Sequence, residues 1–182
     1  MSSEQAIQSY RDAHRALNER SNGAYPEFLK ELRDSALTSF EDLGFPTTKW
    51  ETWKYTDGSK LGKKSAEHSA LGNFPRPGLE DIQQHMLNDS GLLELVFVHG
   101  KFDSELSSVS KLPKGLSLRS LAEVLRSEPE LVEGLLAKVA NYSTHPFAAL
   151  NTAFLEDGAV VVVEEGARIE KPIHILHIAG GA

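Results

Sequence analysis

With no cysteine among its 182 residues, the groups of this chain whose types and spacing could do chemistry are its histidines, carboxylates, glycines and a lysine-rich aromatic segment. Without a thiolate there is no disulfide, no thiol nucleophile and no sulfur ligand for iron or zinc within the segment. His174 and His177 come nearest to a metal pair. On a strand, however, a spacing of three sends two side chains to opposite faces, so they read as solvated or hydrogen-bonded strand residues. His145 stands before Pro146 with no Ser, Cys or acid at a catalytic spacing, and reads as the start of a helix. Glycines fall singly rather than in a phosphate-cradling pattern, and the one pair, Gly180 and Gly181, closes the chain. Acidic residues are scattered over helical faces. No catalytic, cofactor-binding or metal-ligating residue is therefore assigned, and the segment is expected not to be an enzyme.

The segment FPTTKWETWKYTDGSKLG, from Phe45, is the distinctive feature. Trp50, Trp53 and Tyr55 alternate with Lys49, Lys54, Lys60, Lys63 and Lys64, a mixture that single-stranded nucleic-acid binders use for stacking and phosphate contact. Trp50 and Trp53 are also spaced to share a helical face, and large aromatics more often anchor a loop to a core or an interface. Trp50, Trp53 and Tyr55 are accordingly candidate packing or partner anchors. A formal charge of −7 repels polyanions over most of the surface, so neither nucleic acid nor an anionic membrane is an expected partner.

The elements that must position these residues read as follows. Ile7, Tyr10, Ala13 and Leu17 predict a helix over 3–17. A second runs from Pro26 to Gly44, which ends it as a left-handed cap, and the two form a hairpin. A loop over 72–78 and a helix over 79–87 precede a strand over 93–98, with a return strand from Lys101. From Leu118 an interrupted helical pattern is divided by Pro129, and the capping box of Ser127 with Glu130 predicts a helix from there to about Asn141. Another short helix covers 147–155, closed by Asp157 and Gly158. Strands over 159–163 and 173–178 follow. The longest apolar run, Ala159 to Val163, falls far short of the roughly 20 residues a membrane span needs. The first residues lack a basic or apolar leader, so a cytoplasmic location is expected. A boundary near 157 divides a mostly helical domain, 1–157, from the start of a second, 158–182. Two short strands make no stable sheet alone, so the chain reads as truncated, with an open edge that invites a homodimer.

Three stretches resemble the SufB/SufD family. GFPTTKWETWKYTD, 44–57, is similar to its amino-terminal pattern at Pro46, Thr47, Trp53, Lys54, Tyr55 and Thr56; Trp50 departs, standing where the family has a polar residue. LVFVHGKF, 95–102, followed by Leu112-Pro113-Lys114-Gly115, resembles a strand, turn and return strand before a Leu-Pro-Gly loop. The run from Pro146 to His177, with EKPIH at 170–174, resembles a helix and Asp-Gly turn leading into a parallel β-helix.

The resemblance favours the SufD branch over SufB. It implies an α+β fold: an amino-terminal helical domain with a short hairpin, then the first strands of a truncated right-handed parallel β-helix. It implies a scaffold of the SUF iron–sulfur cluster assembly complex, partnered by a SufB-like homologue and a SufC-like ABC-type ATPase. The cluster would be handled by the full complex, with no cofactor in this segment. Because β-helices also serve carbohydrate-active enzymes, Glu164, Glu165 and Glu170 on the turns keep that alternative open.

Overall fold

Apolar positions spaced seven and four apart, Ala6, Ala13 and Leu17, give the start of the chain one buried stripe, and in the computed structural model it forms helix α1, Ser3–Arg20. Residues 3–63, 77–87, 92–109 and 111–179 are described. Further helices among them are α2 (Glu27–Leu43), α3 (Leu79–Gln83), α4 (Leu121–Ser127) and α5 (Pro146–Ala153). The strands are β1 (Leu93–Val98), β2 (Lys101–Asp103), β3 (Leu116–Ser120), β4 (Ala159–Val163) and β5 (Ile173–Ile178). The fold is mixed α+β. Most of the loop expected over 72–78, together with Lys64 and the Gly180-Gly181 pair, lies outside the described residues. No helix of the described residues is long and apolar enough to cross a membrane.

The chain divides into two units, Met1–Gly72 with Glu128–Leu155, and Asn73–Ser127 with Glu156–Ala182. In the first, α1 and α2 pair antiparallel. Arg11 Nε donates to Glu41 Oε1 at 2.7 Å toward one end, and Asn18 Nδ2 donates to Asp34 Oδ1 at 3.0 Å toward the other. The buried face of α2 presents Ala36, Leu37 and Phe40 to Ala149 and Ala153 of α5, with Tyr10, Phe45 and Phe154 packed at the margin. Gly44 ends α2, its N–H donating to Phe40 O at 2.8 Å, but not as the left-handed cap expected. Its φ of 66° is positive while ψ is −174°, a combination open to glycine but outside the left-handed helical basin. Arg33 is fully buried on α2. Its Nε donates to Leu155 O at 2.8 Å, and the guanidinium lies 5.5 Å from the Tyr25 ring centre.

In the second unit β1 is buried along nearly its whole length, because it is the central strand. It pairs antiparallel with β2 and parallel with β5, in a register that sets Leu93 opposite Ile173 and Val98 opposite Ile178. Where β2 runs out, serine hydroxyls take over its pairing. Glu94 N donates to Ser108 Oγ at 2.8 Å and Val96 N to Ser107 Oγ at 2.9 Å. β3 and β4 form a separate antiparallel pair. All strands expected from sequence, 93–98 with its return, 159–163 and 173–178, are present.

Two expectations are corrected between 116 and 141. LSLRS forms a strand rather than a helical turn, because Leu116, Leu118 and Ser120 alternate inward against β4. The helix expected from Ser127 to Asn141 is not made. Instead a single 3-10 turn, Pro129–Leu131, leads into a series of turns. The Ser127 hydroxyl is already engaged, donating to Glu123 O at 3.0 Å and accepting from Arg119 Nη2 at 2.7 Å. Gly134 and Ala137, at φ 78° and 57°, then break the helical path. The capping pattern the fold uses is the earlier one, Ser120 with Glu123, where Glu123 N donates to Ser120 Oγ at 3.3 Å and α4 begins. α3 also stops at Gln83, four residues short of the expected end.

Candidate partner-anchor site

The tryptophan segment is fastened to the first unit by a relay of rings. Phe45 meets Phe40 edge-on at 5.1 Å between centroids and Phe147 at 6.4 Å, and Trp53 in turn lies 5.2 Å from Phe147. Between them the backbone makes a 3-10 turn, Glu51–Trp53, with Trp53 N donating to Trp50 O at 2.9 Å. The segment closes on itself at Gly58: a Cβ there would sit 2.8 Å from Pro46 Cγ, so only glycine allows the approach. Asp57 fixes the next turn by accepting from Ser59 N at 3.1 Å.

This geometry separates the three aromatics named as candidate packing or partner anchors. Trp53 is half-buried, with its ring against Phe147. Trp50, also half-buried, stands at the start of the three-residue turn, so no longer helical face is shared between the two. Tyr55 is 92% exposed, with Lys54 Nζ 5.8 Å from its ring centre. Lys49 and Lys60 are also exposed. Tyr55 with Lys54 thus offers flat apolar contact and a cation donor to the outside.

Sequence reasoning passed over two polar constellations. In the second unit Asp157 gathers four donors: Phe102 N at 2.8 Å, Ser120 Oγ at 2.7 Å, Ala122 N at 3.0 Å and Gly158 N at 2.8 Å. One carboxylate thereby ties β2, the end of β3 and the start of α4 to the turn before β4. An Asp-Gly pair flanked by strands was the available signal, though it announces only a turn. On adjacent parallel strands, His174 Nδ1 lies 2.9 Å from Glu94 Oε1. His177, three residues on, stacks over Phe97 at 4.8 Å, which places the two histidines on opposite faces as their spacing required. Among the described residues no three His, Cys, Asp or Glu converge as a metal-ligand set. Glu164, Glu165 and Glu170 are exposed, and Glu170 lies 3.9 Å from Arg168. His145 opens α5 with its carbonyl, which accepts from Ala149 N at 2.9 Å.

In the first unit His14 is buried edge-on against Phe154, with Nε2 3.6 Å from Asp34 Oδ1. Burial pushes its pKa below the ordinary value, outweighing the opposing pull of Asp34.

The family model for the SufBD protein N-terminal region matches residues 1–175. The chain belongs to the SufBD family. An iron–sulfur cluster assembly SufBD family protein of Synechocystis sp. is 28% identical over 165 residues, covering 86% of this chain and 34% of the relative. A second from the same organism is 26% identical, over 79% of this chain and 32% of its own length. A third, from Trieres chinensis, is 24% identical over 74% and 30% respectively. The chain thus spans about a third of the length of these SufBD relatives. Both the ring-anchored tryptophan segment and the Asp157 clamp fall inside the matched SufBD region.

Proposed function

We propose that the chain is the amino-terminal part of a SufD-type scaffold subunit of the SUF iron–sulfur cluster assembly complex. It positions a SufB-like homologue and a SufC-like ABC-type ATPase in the cytoplasm, and catalyses no bond change itself. The observation that carries this reading is the family match across residues 1–175, joined to relatives whose names place them in cluster assembly. The polar groups that converge support it, since Asp157 and the Glu94–His174 pair are spent on holding strands and turns together. On this reading Tyr55 with Lys54 is the outward contact, and the cluster is handled by the full complex. The parallel pairing of β1 with β5, and the place of β5 at a sheet edge, support a parallel β-helix continuing from it. The family match lends no support to a carbohydrate-active enzyme or a single-stranded nucleic-acid module.

Deleting the gene from its host and measuring iron–sulfur enzyme activities under iron limitation tests the reading. Activities should fall and return with the intact gene. Undiminished activities in the deletion strain would remove it. A homodimer through the β5 edge competes for the same surface and would appear as a dimer of the purified full-length chain by light scattering.

A further inference from the structure

The segment 130–140 pairs a helix-forming sequence with a structure that is not a helix. Leu131, Val132, Leu135, Leu136 and Val139 lie on one helical stripe. In the fold only Val132 is buried, at 6% exposure, while Leu135 is 69% exposed and Val139 99%. Isolated helical hydrogen bonds are already present, Glu133 N donating to Pro129 O at 2.9 Å and Leu136 N to Val132 O at 3.2 Å. They are interrupted at Gly134 and at Ala137, whose φ of 57° is costly for a residue with a Cβ. Two large apolar side chains in water and one strained alanine are what a helix leaves behind when the surface that would bury its stripe is missing.

We propose that residues 130–140 form a docking segment that completes its helix against a partner protein, one whose apolar groove is rimmed by lysine and arginine. The charge around the exposed pair selects that partner. Glu128, Glu130 and Glu133 are exposed on the approach to Leu135, with the cations Arg126 before them and Lys138 after, which leaves a local excess of negative charge in a chain of formal charge −7. Such a surface repels nucleic acid and anionic lipid and is complementary to a basic protein rim. The proposal holds whether or not the partner belongs to cluster assembly.

The test uses the full chain and two synthetic amphipathic helices, one of leucine and lysine and its twin of leucine and glutamate, titrated by fluorescence anisotropy. The lysine peptide should bind, slow hydrogen exchange at amides 131–140, and lose at least about tenfold in affinity to the double variant Leu135→Ser, Val139→Ser. The unfolding temperature of that variant should be unchanged, because both side chains are exposed in the free protein. Gly134→Ala, with nothing within 4 Å of the added carbon but a positive φ to strain, should favour the helical path and tighten binding about two- to fivefold. Equal binding of the glutamate twin, unchanged binding by the double variant, or unaltered exchange over 131–140 would each overturn the proposal. A concentration-dependent dimer abolished by the same double variant would give the surface to a second copy instead.

Discussion

The two units of this chain are held together by different physics. The first closes on rings and small helix residues: Phe40, Phe45, Tyr10 and Phe154 around Ala36, Ala149 and Ala153. Its outlying tryptophan segment hangs from that cluster through Phe147. The second also has an apolar sheet face, Leu93, Leu95 and Phe97 against Leu116 and Leu118, but one carboxylate, Asp157, accepts four donors where its strands, turns and α4 meet. Apolar packing spreads its energy over many contacts and tolerates small changes, whereas a polar clamp concentrates energy in one group whose loss strands several donors at once. The same contrast recurs within the tryptophan segment, where Trp53 faces the rings and Tyr55 faces solvent.

Truncation at the centre of the ring cluster should have the largest effect. Phe40→Ala is expected to cost about 3–5 kcal/mol in urea unfolding, since it removes a fully buried ring and leaves a cavity. Asp157→Ala should follow at about 3 kcal/mol, because three backbone N–H groups and a hydroxyl lose their acceptor together. A cost near that of an ordinary surface change would erase the contrast between clamp and core. Trp53→Ala should cost about 1–2 kcal/mol, as befits a half-buried ring packed against Phe147.

A smaller, pH-dependent effect tests the interior of the first unit. His14 is held below its ordinary value of 6.5 by burial, so as pH falls the unfolded chain takes up the proton first. Its contribution is complete above 6.5 and is lost as pH falls toward the folded value. The slope is at most about 1.4 kcal/mol per pH unit. His14→Leu should flatten the acid limb of the stability curve; an unchanged limb would show that His14 is not the group responsible. Tyr55→Ala should be the smallest of all, within about 0.5 kcal/mol of the parent.

Much of this fold could be read from the chain. The hairpin of α1 and α2 and the strands at 93–98, 159–163 and 173–178 follow from local periodicity, which needs no partner to be recognised. The failures share a cause. Leu118 fits a strand period with Leu116 and a helical one with Leu121 and Leu125, and pairing with β4, some forty residues away, selects the strand. Ser127 has the right neighbours for a cap, but Arg119 and the Glu123 carbonyl claim its hydroxyl. Of the candidate site, the composition around Trp53 was visible and its division into an inner and an outer aromatic was not, because that depends on Phe147, more than ninety residues later. Asp157 looked like a turn residue, since its four donors converge only in three dimensions.

The scaffold reading is tested most directly by co-purifying the tagged full-length protein and its Tyr55→Ala variant from the native host through a salt wash. The account predicts that the parent retains an ABC-type ATPase and a larger homologue. The variant, equally stable, should retain less of them. Recovery of neither partner from cells shown to express both would contradict the scaffold role, and equal recovery with both proteins would contradict the assignment of Tyr55 to the contact.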